Sequence, residues 1–191
     1  MKKINFFLFL LSSLILFNSC SEEDYYPLPR SYYRVDFDEK KYKTFEDSCG
    51  FTFKLPNYSF AVNKFKNAPN CYKTIIFPKY KAELICTYNI IDSNFYLLSE
   101  KLRTSAYEHS FRASSIIEKQ WVNVDAKVYG TTFEIIGDVA CNYTFYLSDS
   151  TNHFFTGELM FFALPNYDSL KPTIEFIKTD IEKLVESFEW Q

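Results

Sequence analysis

Glycine is scarce in this chain: four residues in 191, at Gly50, Gly130, Gly137 and Gly157, each standing alone. A phosphate cradle needs several adjacent backbone N–H groups with nothing beyond Cα, so neither a P-loop nor a dinucleotide fingerprint is present. Histidine is scarcer still, with only His109 and His153, and neither lies in an H-E-x-x-H pattern or near a cysteine in sequence. No C-x-x-C occurs, which removes the common zinc motifs. Basic charge is also in deficit, with 21 Lys and Arg against 24 Asp and Glu, so no electrostatic field exists to hold nucleic acid. No tract rich in Gly, Ser or Pro divides the chain, and its length suits one domain with a hydrophobic core.

One long apolar run is present, at the amino terminus. Lys2 and Lys3 precede a stretch from Phe6 to Phe17 that is apolar except for Ser12 and Ser13, and Phe17-Asn18-Ser19-Cys20 closes it. A bilayer span needs ~20 apolar residues. The run is too short for that and reads as an export signal over residues 1–19 ending in a loose lipobox. Processing would leave Cys20 first and acylated, with fatty chains such as palmitate as the membrane anchor; plain secretion is the competing reading. Each buried methylene contributes ~0.8 kcal/mol, and more than one chain gives stable attachment. Loss of Lys2 and Lys3 takes the net charge from -3 to -5. Ser21-Glu22-Glu23-Asp24 resembles the surface-export signal behind the lipidated cysteine of many Bacteroidetes lipoproteins, and reads equally as a solvated linker.

Residues 20–31, with Pro27 and Pro29, are expected to form an extended lead, and residues 32–191 a single globular domain. Strands are expected at Tyr32–Phe37, Phe51–Leu55, Tyr72–Phe77, Lys81–Asn89, Lys127–Ile136, Asn142–Leu147, around His153–Phe155 and at Leu159–Leu164. Three of them stop at a proline followed two residues later by a tyrosine (Pro56-Asn57-Tyr58, Pro78-Lys79-Tyr80, Pro165-Asn166-Tyr167), which reads as strand exit and turn. Apolar residues at three- and four-residue steps predict a helix over Phe95–Ala113, with His109 on its apolar stripe as a core histidine. A second is predicted over Thr173–Glu189 with Pro172 in its first turn. Strands, helix, strands, helix indicate an α+β fold, two helices packed on an antiparallel sheet. The order is similar to that of small PsbP/Mog1-like domains.

Four cysteines remain after Cys20: Cys49, Cys71, Cys86 and Cys141. In an oxidising envelope they permit two bridges, with three connectivities. The preferred pairs are Cys49 with Cys71 and Cys86 with Cys141. The strand parity of the second pair fits either a core bridge or two buried thiols. His153 follows Ser148-Asp149-Ser150-Thr151-Asn152, but neighbours so close in a polar turn cap each other's backbone, and no G-x-S-x-G elbow accompanies them. Asp149-Ser150-Thr151 and Asp168-Ser169-Leu170 resemble short Bacteroidetes O-glycosylation acceptors, with turn and helix-cap roles as the plainer reading.

Several longer segments together resemble one family. They are Tyr26-Pro27-Leu28-Pro29-Arg30-Ser31-Tyr32-Tyr33-Arg34-Val35-Asp36, Ile76-Phe77-Pro78-Lys79-Tyr80-Lys81-Ala82, Lys127-Val128-Tyr129-Gly130, and Phe145-Tyr146-Leu147-Ser148-Asp149-Ser150-Thr151-Asn152-His153-Phe154. To these is added the closing run from Pro165-Asn166-Tyr167-Asp168-Ser169-Leu170 to Glu186-Ser187-Phe188-Glu189-Trp190. They resemble the gliding motility lipoprotein GldD family of Bacteroidetes; Ser31 and Gly50 depart from its pattern. The resemblance implies a lipid-anchored component of the cell envelope, periplasmic or surface-facing. Such a component serves gliding motility and the associated type IX secretion machinery, with other envelope proteins of those systems as partners. It implies no catalytic residue, cofactor or metal, and carries over only Cys20, as the acylation site. Two other readings stay open: a periplasmic module holding a small ligand against the sheet, and an envelope hydrolase built around His153.

Overall fold

The computed structural model describes residues 34–64 and 71–191. The export signal, Cys20, the Pro27–Pro29 lead and the first two residues of the strand expected at Tyr32–Phe37 lie outside them. Among the described residues ten strands and two α-helices run in the order β1 (Tyr42–Asp47), β2 (Phe51–Pro56), β3 (Phe60–Val62), β4 (Lys73–Phe77), β5 (Ala82–Ile90), α1 (Phe95–Glu108), β6 (Ala113–Asn123), β7 (Val128–Gly137), β8 (Cys141–Ser148), β9 (His153–Phe161), α2 (Tyr167–Glu186) and β10 (Glu189–Trp190). Seven form one antiparallel sheet in the order β3-β4-β5-β9-β8-β7-β6, and three form a second, β1-β2-β10. This is the α+β arrangement with two helices on antiparallel sheet expected from the sequence.

Period-two patterning decides which face each strand buries. Leu84 and Cys86 on β5, Leu159 and Phe155 on β9, and Phe145 and Leu147 on β8 point to one side, where α2 lays Ile177, Ile181, Leu184 and Val185, and β2 lays Phe51, Phe53 and Leu55. Phe188 closes this core, its ring 5.0 Å from Phe155 and 5.8 Å from Phe51. Gly157 is required here, because a Cβ on it would stand 2.3 Å from the Phe145 ring of the neighbouring strand. The other side carries α1, whose Leu102 and Ala106 cover Phe133 and Ile135.

Several boundaries differ from expectation. Residues 34–40 have no regular structure and the first strand is Tyr42–Asp47; Phe37 stacks on Phe176 of α2 at 4.4 Å rather than joining a sheet. Helix α1 stops at Glu108, passes through a 3-10 turn at His109–Phe111 and becomes β6 at Ala113. Strand β6 is an edge with Glu118, Lys119 and Gln120 exposed, so its alternation is hidden in the sequence. The segments expected at His153–Phe155 and Leu159–Leu164 are one strand that ends at Phe161. Helix α2 begins six residues early: Asn166 is its cap, accepting from the Ser169 N–H at 3.1 Å, and Pro172 lies inside it.

Cys49 and Cys71 form a disulfide. The expected Cys86–Cys141 bridge is not formed; both are buried free thiols. Strands β5 and β8 lie on opposite sides of β9, which sets their backbones ~9–10 Å apart, beyond the ~7 Å Cα limit for a bridge. A bulge between Cys141 and Tyr143 also turns Cys141 to the α1 side, while Cys86 faces α2. Asn142 fills the bulge, donating at 3.0 Å to the carbonyls of Ile135 and Gly137.

Candidate functional site

The main sheet has two unlike ends. One, here the lead end, holds the Pro78–Tyr80 turn before β5, the close of β9 and the β7–β8 turn. At the far end lie Ile90, the β8–β9 turn, the β6–β7 turn and Trp190.

The lead end carries a buried carboxylate. Asp180 of α2 is 2 % exposed. Its Oδ1 accepts from Lys40 Nζ at 2.7 Å and Tyr42 OH at 2.9 Å, and its Oδ2 accepts from Tyr58 OH. Lys40 also donates to the Phe176 carbonyl at 2.7 Å and lies 3.9 Å over that ring. Beside this group Tyr80 OH donates to Asp38 Oδ2 at 2.8 Å and accepts from the Asp38 N–H at 2.9 Å, and Lys79 pairs with Asp38 at 2.9 Å. Burial, with Asp180 as hydrogen-bond partner, pushes the Tyr42 and Tyr58 phenols far above their usual range; burial pushes Tyr80 up to about 12. The bonds to Lys79 and Tyr80 hold the Asp38 carboxyl below its usual range. All these donors are spent on protein acceptors, so the cluster latches residues 38–42 to α2 and the sheet. Two of the three Pro-x-Tyr tyrosines meet here; the third, Tyr167, opens α2, with its N–H on Asp138 at 2.7 Å. The sequence showed the turns but not the convergence, because Lys40 and Asp180 are 140 positions apart.

His153 lies at the far end in a cleft of about 560 Å³, shared with Asp125, Asp149, Glu189 and Trp190. Its Nδ1 is 2.6 Å from Tyr88 OH and its ring stacks on Trp190 at 5.1 Å. Asp149 Oδ1 does not orient the ring. It accepts from the backbone N–H groups of Thr151, Asn152 and His153 at 2.8–3.0 Å. Burial raises this carboxyl, but those donors outweigh it and hold it at about 2. None of the side chains lining the cleft carries a hydroxyl or thiol nucleophile. This is the turn-capping reading of the Asp149 segment, without triad geometry.

A groove of about 290 Å³ separates α1 from β5 and β9. Its floor is polar, with Thr87 and Thr156 hydroxyls 2.7 Å apart, Asn89 and Glu158; Leu98 and Lys101 form one wall and Tyr72, held next to the disulfide, the other. A cavity of about 30 Å³ adjoins it, lined by Ser105, His109, Cys141 and Glu158 together with Thr144, whose buried Oγ1 has no protein partner. That is room for one water. His109 thus sits at the end of α1 beside Cys141, whose thiol burial pushes up to about 12. Among the described residues no group of three His, Cys, Asp or Glu is placed to hold a metal ion.

Both ends expose large apolar side chains. Ile90, Tyr96, Leu97, Val122 and Val124, all 63 % exposed or more, ring the far end; Phe111, Phe162 and Leu164, at 79, 59 and 90 %, lie at the lead end. No helix among the described residues is long and apolar enough to cross a membrane.

A helix-flanked antiparallel sheet of this layout defines a PsbP-like α+β protein. The solution structure of cyanobacterial PsbP (CyanoP) from Synechocystis sp. PCC 6803 is similar with a TM-score of 0.50 at 9 % identity, covering 83 % of this chain and 98 % of that one. At that identity the likeness shows the fold alone. Residues 22–190 match the family described as gliding motility lipoprotein GldD, and the chain belongs to it. No curated protein matches the chain.

Proposed function

We propose that this protein is a non-enzymatic docking factor, lipid-anchored through Cys20, that supports gliding motility and type IX protein secretion by holding other envelope proteins of those systems at the membrane. Membership of a gliding motility lipoprotein family supports the setting. The observation that carries the docking role is the far-end rim. Five large apolar side chains stand exposed there, opposite the end at which the chain leads in from its amino terminus. Ile90, Tyr96 and Leu97 stand near the end of β5, and Val122 and Val124 on the β6–β7 side; exposed large apolar side chains of this kind are candidates for contact surfaces. The polar side chains around Asp180 and Asp149 are committed to holding backbone and lead segment in place.

The experiment is a pull-down from crosslinked envelopes, comparing the native chain with Tyr96→Ser/Val124→Ser. Recovery of motility or secretion components by the native chain, lost in the variant, supports the reading. Equal recovery by both, or gliding and secretion unchanged by the variant, overturns it.

The groove beneath α1 favours a second reading, a periplasmic module for a small polar ligand, since its floor places Thr87, Thr156, Asn89 and Glu158 where a helix–sheet seam is ordinarily apolar. A soluble metabolite repeatedly co-purifying with the native chain and lost with Asn89→Ala would select it.

A further inference from the structure

We infer that the lead end of the sheet is a membrane seat: Phe111, Phe162 and Leu164 enter the headgroup region of the bilayer that holds the lipid anchor, with Lys81 and Arg112 against lipid phosphates. The inference rests on the acylation of Cys20 proposed above.

The three apolar side chains lie along one continuous edge. The Phe162 N–H donates to the Lys81 carbonyl at 2.8 Å, which fixes Phe162 beside the β4–β5 turn. Leu164 follows, two residues before the Asn166 cap. Helix α2 then opens with the Tyr167 N–H on Asp138. Gly137, next to Asp138, packs so closely on Arg112 that a Cβ there would stand 2.5 Å from the Arg112 carbonyl. Arg112 in turn lies over the Phe111 ring at 5.6 Å. The edge therefore runs Lys81, Phe162, Leu164, Asp138, Arg112, Phe111, with Phe162 and Leu164 set between the two cations and the Asp138 carboxylate taken up by the Tyr167 N–H. Long cations that keep their charged heads in the headgroup layer while bulky apolar neighbours reach the acyl boundary are the pattern of an interfacial contact.

What selects a bilayer as the occupant is the place where the chain arrives. Residues 38–42 are latched at this end by Tyr80 and Asp180, a few residues after the first described residue, Arg34. Thirteen residues separate Cys20 from Arg34, a reach of at most about 50 Å when extended. An anchor so tethered presents the lead end to the lipid at high effective concentration. Both ends carry carboxylates, but at the lead end Asp36, Asp38 and Glu39 are paired with Arg34, Lys79 and Lys41, whereas around the far-end rim Asp92, Asp125, Asp149 and Glu189 stand with Lys127, a balance less suited to an anionic surface.

The test uses the processed chain with Cys20→Ser, floated with vesicles of phosphatidylethanolamine and phosphatidylglycerol. It is expected to float, and Phe162→Ser and Leu164→Ser are each expected to weaken binding roughly tenfold, whereas Tyr96→Ser/Val124→Ser leaves it unchanged. Near-ultraviolet circular dichroism checks that each variant is folded. A Leu164→Trp variant is expected to gain fluorescence quenching by brominated lipid beyond that of its parent. Failure of the folded Cys20→Ser protein to float, equal loss in the far-end variant, or no added quenching at position 164 overturns the seat. Palmitate labelling of the native protein in cells tests the acylation separately; its failure leaves the vesicle result standing on its own.

Discussion

The two ends of the sheet are fastened differently. At the lead end a buried ionic cluster does the work: one carboxylate, Asp180, gathers Lys40 from before β1, Tyr42 from its first position and Tyr58 from the turn after β2. At the far end a disulfide, one ion pair and aromatic contacts share the work: Cys49–Cys71 closes the β1–β2 turn onto the start of β4, Lys73 pairs with the buried Asp47 at 2.9 Å, and Trp190 stacks on His153 and meets Phe188 edge-on. One carboxylate thus gathers three donors at the lead end, while the far end divides its fastening between a covalent bond, a single ion pair and stacked rings and leaves its apolar rim exposed.

The strongest way to break this contrast is Asp180→Ala. Removing one partner of a buried charge pair leaves Lys40 and two tyrosines without their acceptor, and a loss of about 3–5 kcal/mol is expected in urea unfolding. A loss below 1 kcal/mol would show that the cluster does not hold the lead. Next comes the far end: Cys49→Ser/Cys71→Ser opens a loop of sequence separation 22 and is expected to cost about 3 kcal/mol. Native protein should also react slowly with a thiol reagent at Cys86 and Cys141, because burial raises both thiols far above ambient pH, and rapidly once unfolded.

A smaller effect sharpens the far end in pH. Asp149 is held at about 2 in the folded chain, against ~3.9 unfolded. The folded form therefore binds its proton less readily, and the associated stability is complete above pH ~4 and lost as pH falls towards 2. After allowance for solvent screening this amounts to about 1–2 kcal/mol, and Asp149→Asn is expected to flatten the stability profile over that window. The smallest expected change is Tyr96→Ser/Val124→Ser, within about 0.5 kcal/mol of the parent because both side chains are exposed; its effect belongs to gliding and secretion instead.

Much of this architecture was legible in the chain, and the parts that were not share a physical cause. Strands such as β2 and β5, with one face on the core, wrote their pattern as alternation. Strand β6 did not, since an edge with solvent around it tolerates Glu118-Lys119-Gln120 on both faces. The start of α2 was hidden because a proline at 172 reads as a first-turn residue, while Asn166 provides the true cap. A single bulge, invisible to a period-two count, moved Cys141 to the other face and removed the second bridge. The Asp180 cluster depended on contacts across more than a hundred residues, which no local pattern reports. The turn around Asp149 caps backbone, as its spacing implied, while His109 belongs to the end of α1 rather than to a longer apolar stripe.

The most direct test of the account places a photo-crosslinking residue at Tyr96 or at Leu164 in otherwise native protein in living cells. The account predicts that position 96 captures a protein of the gliding or secretion machinery and position 164 captures lipid. Capture of the same species at both positions, or of lipid at 96 and protein at 164, would contradict it.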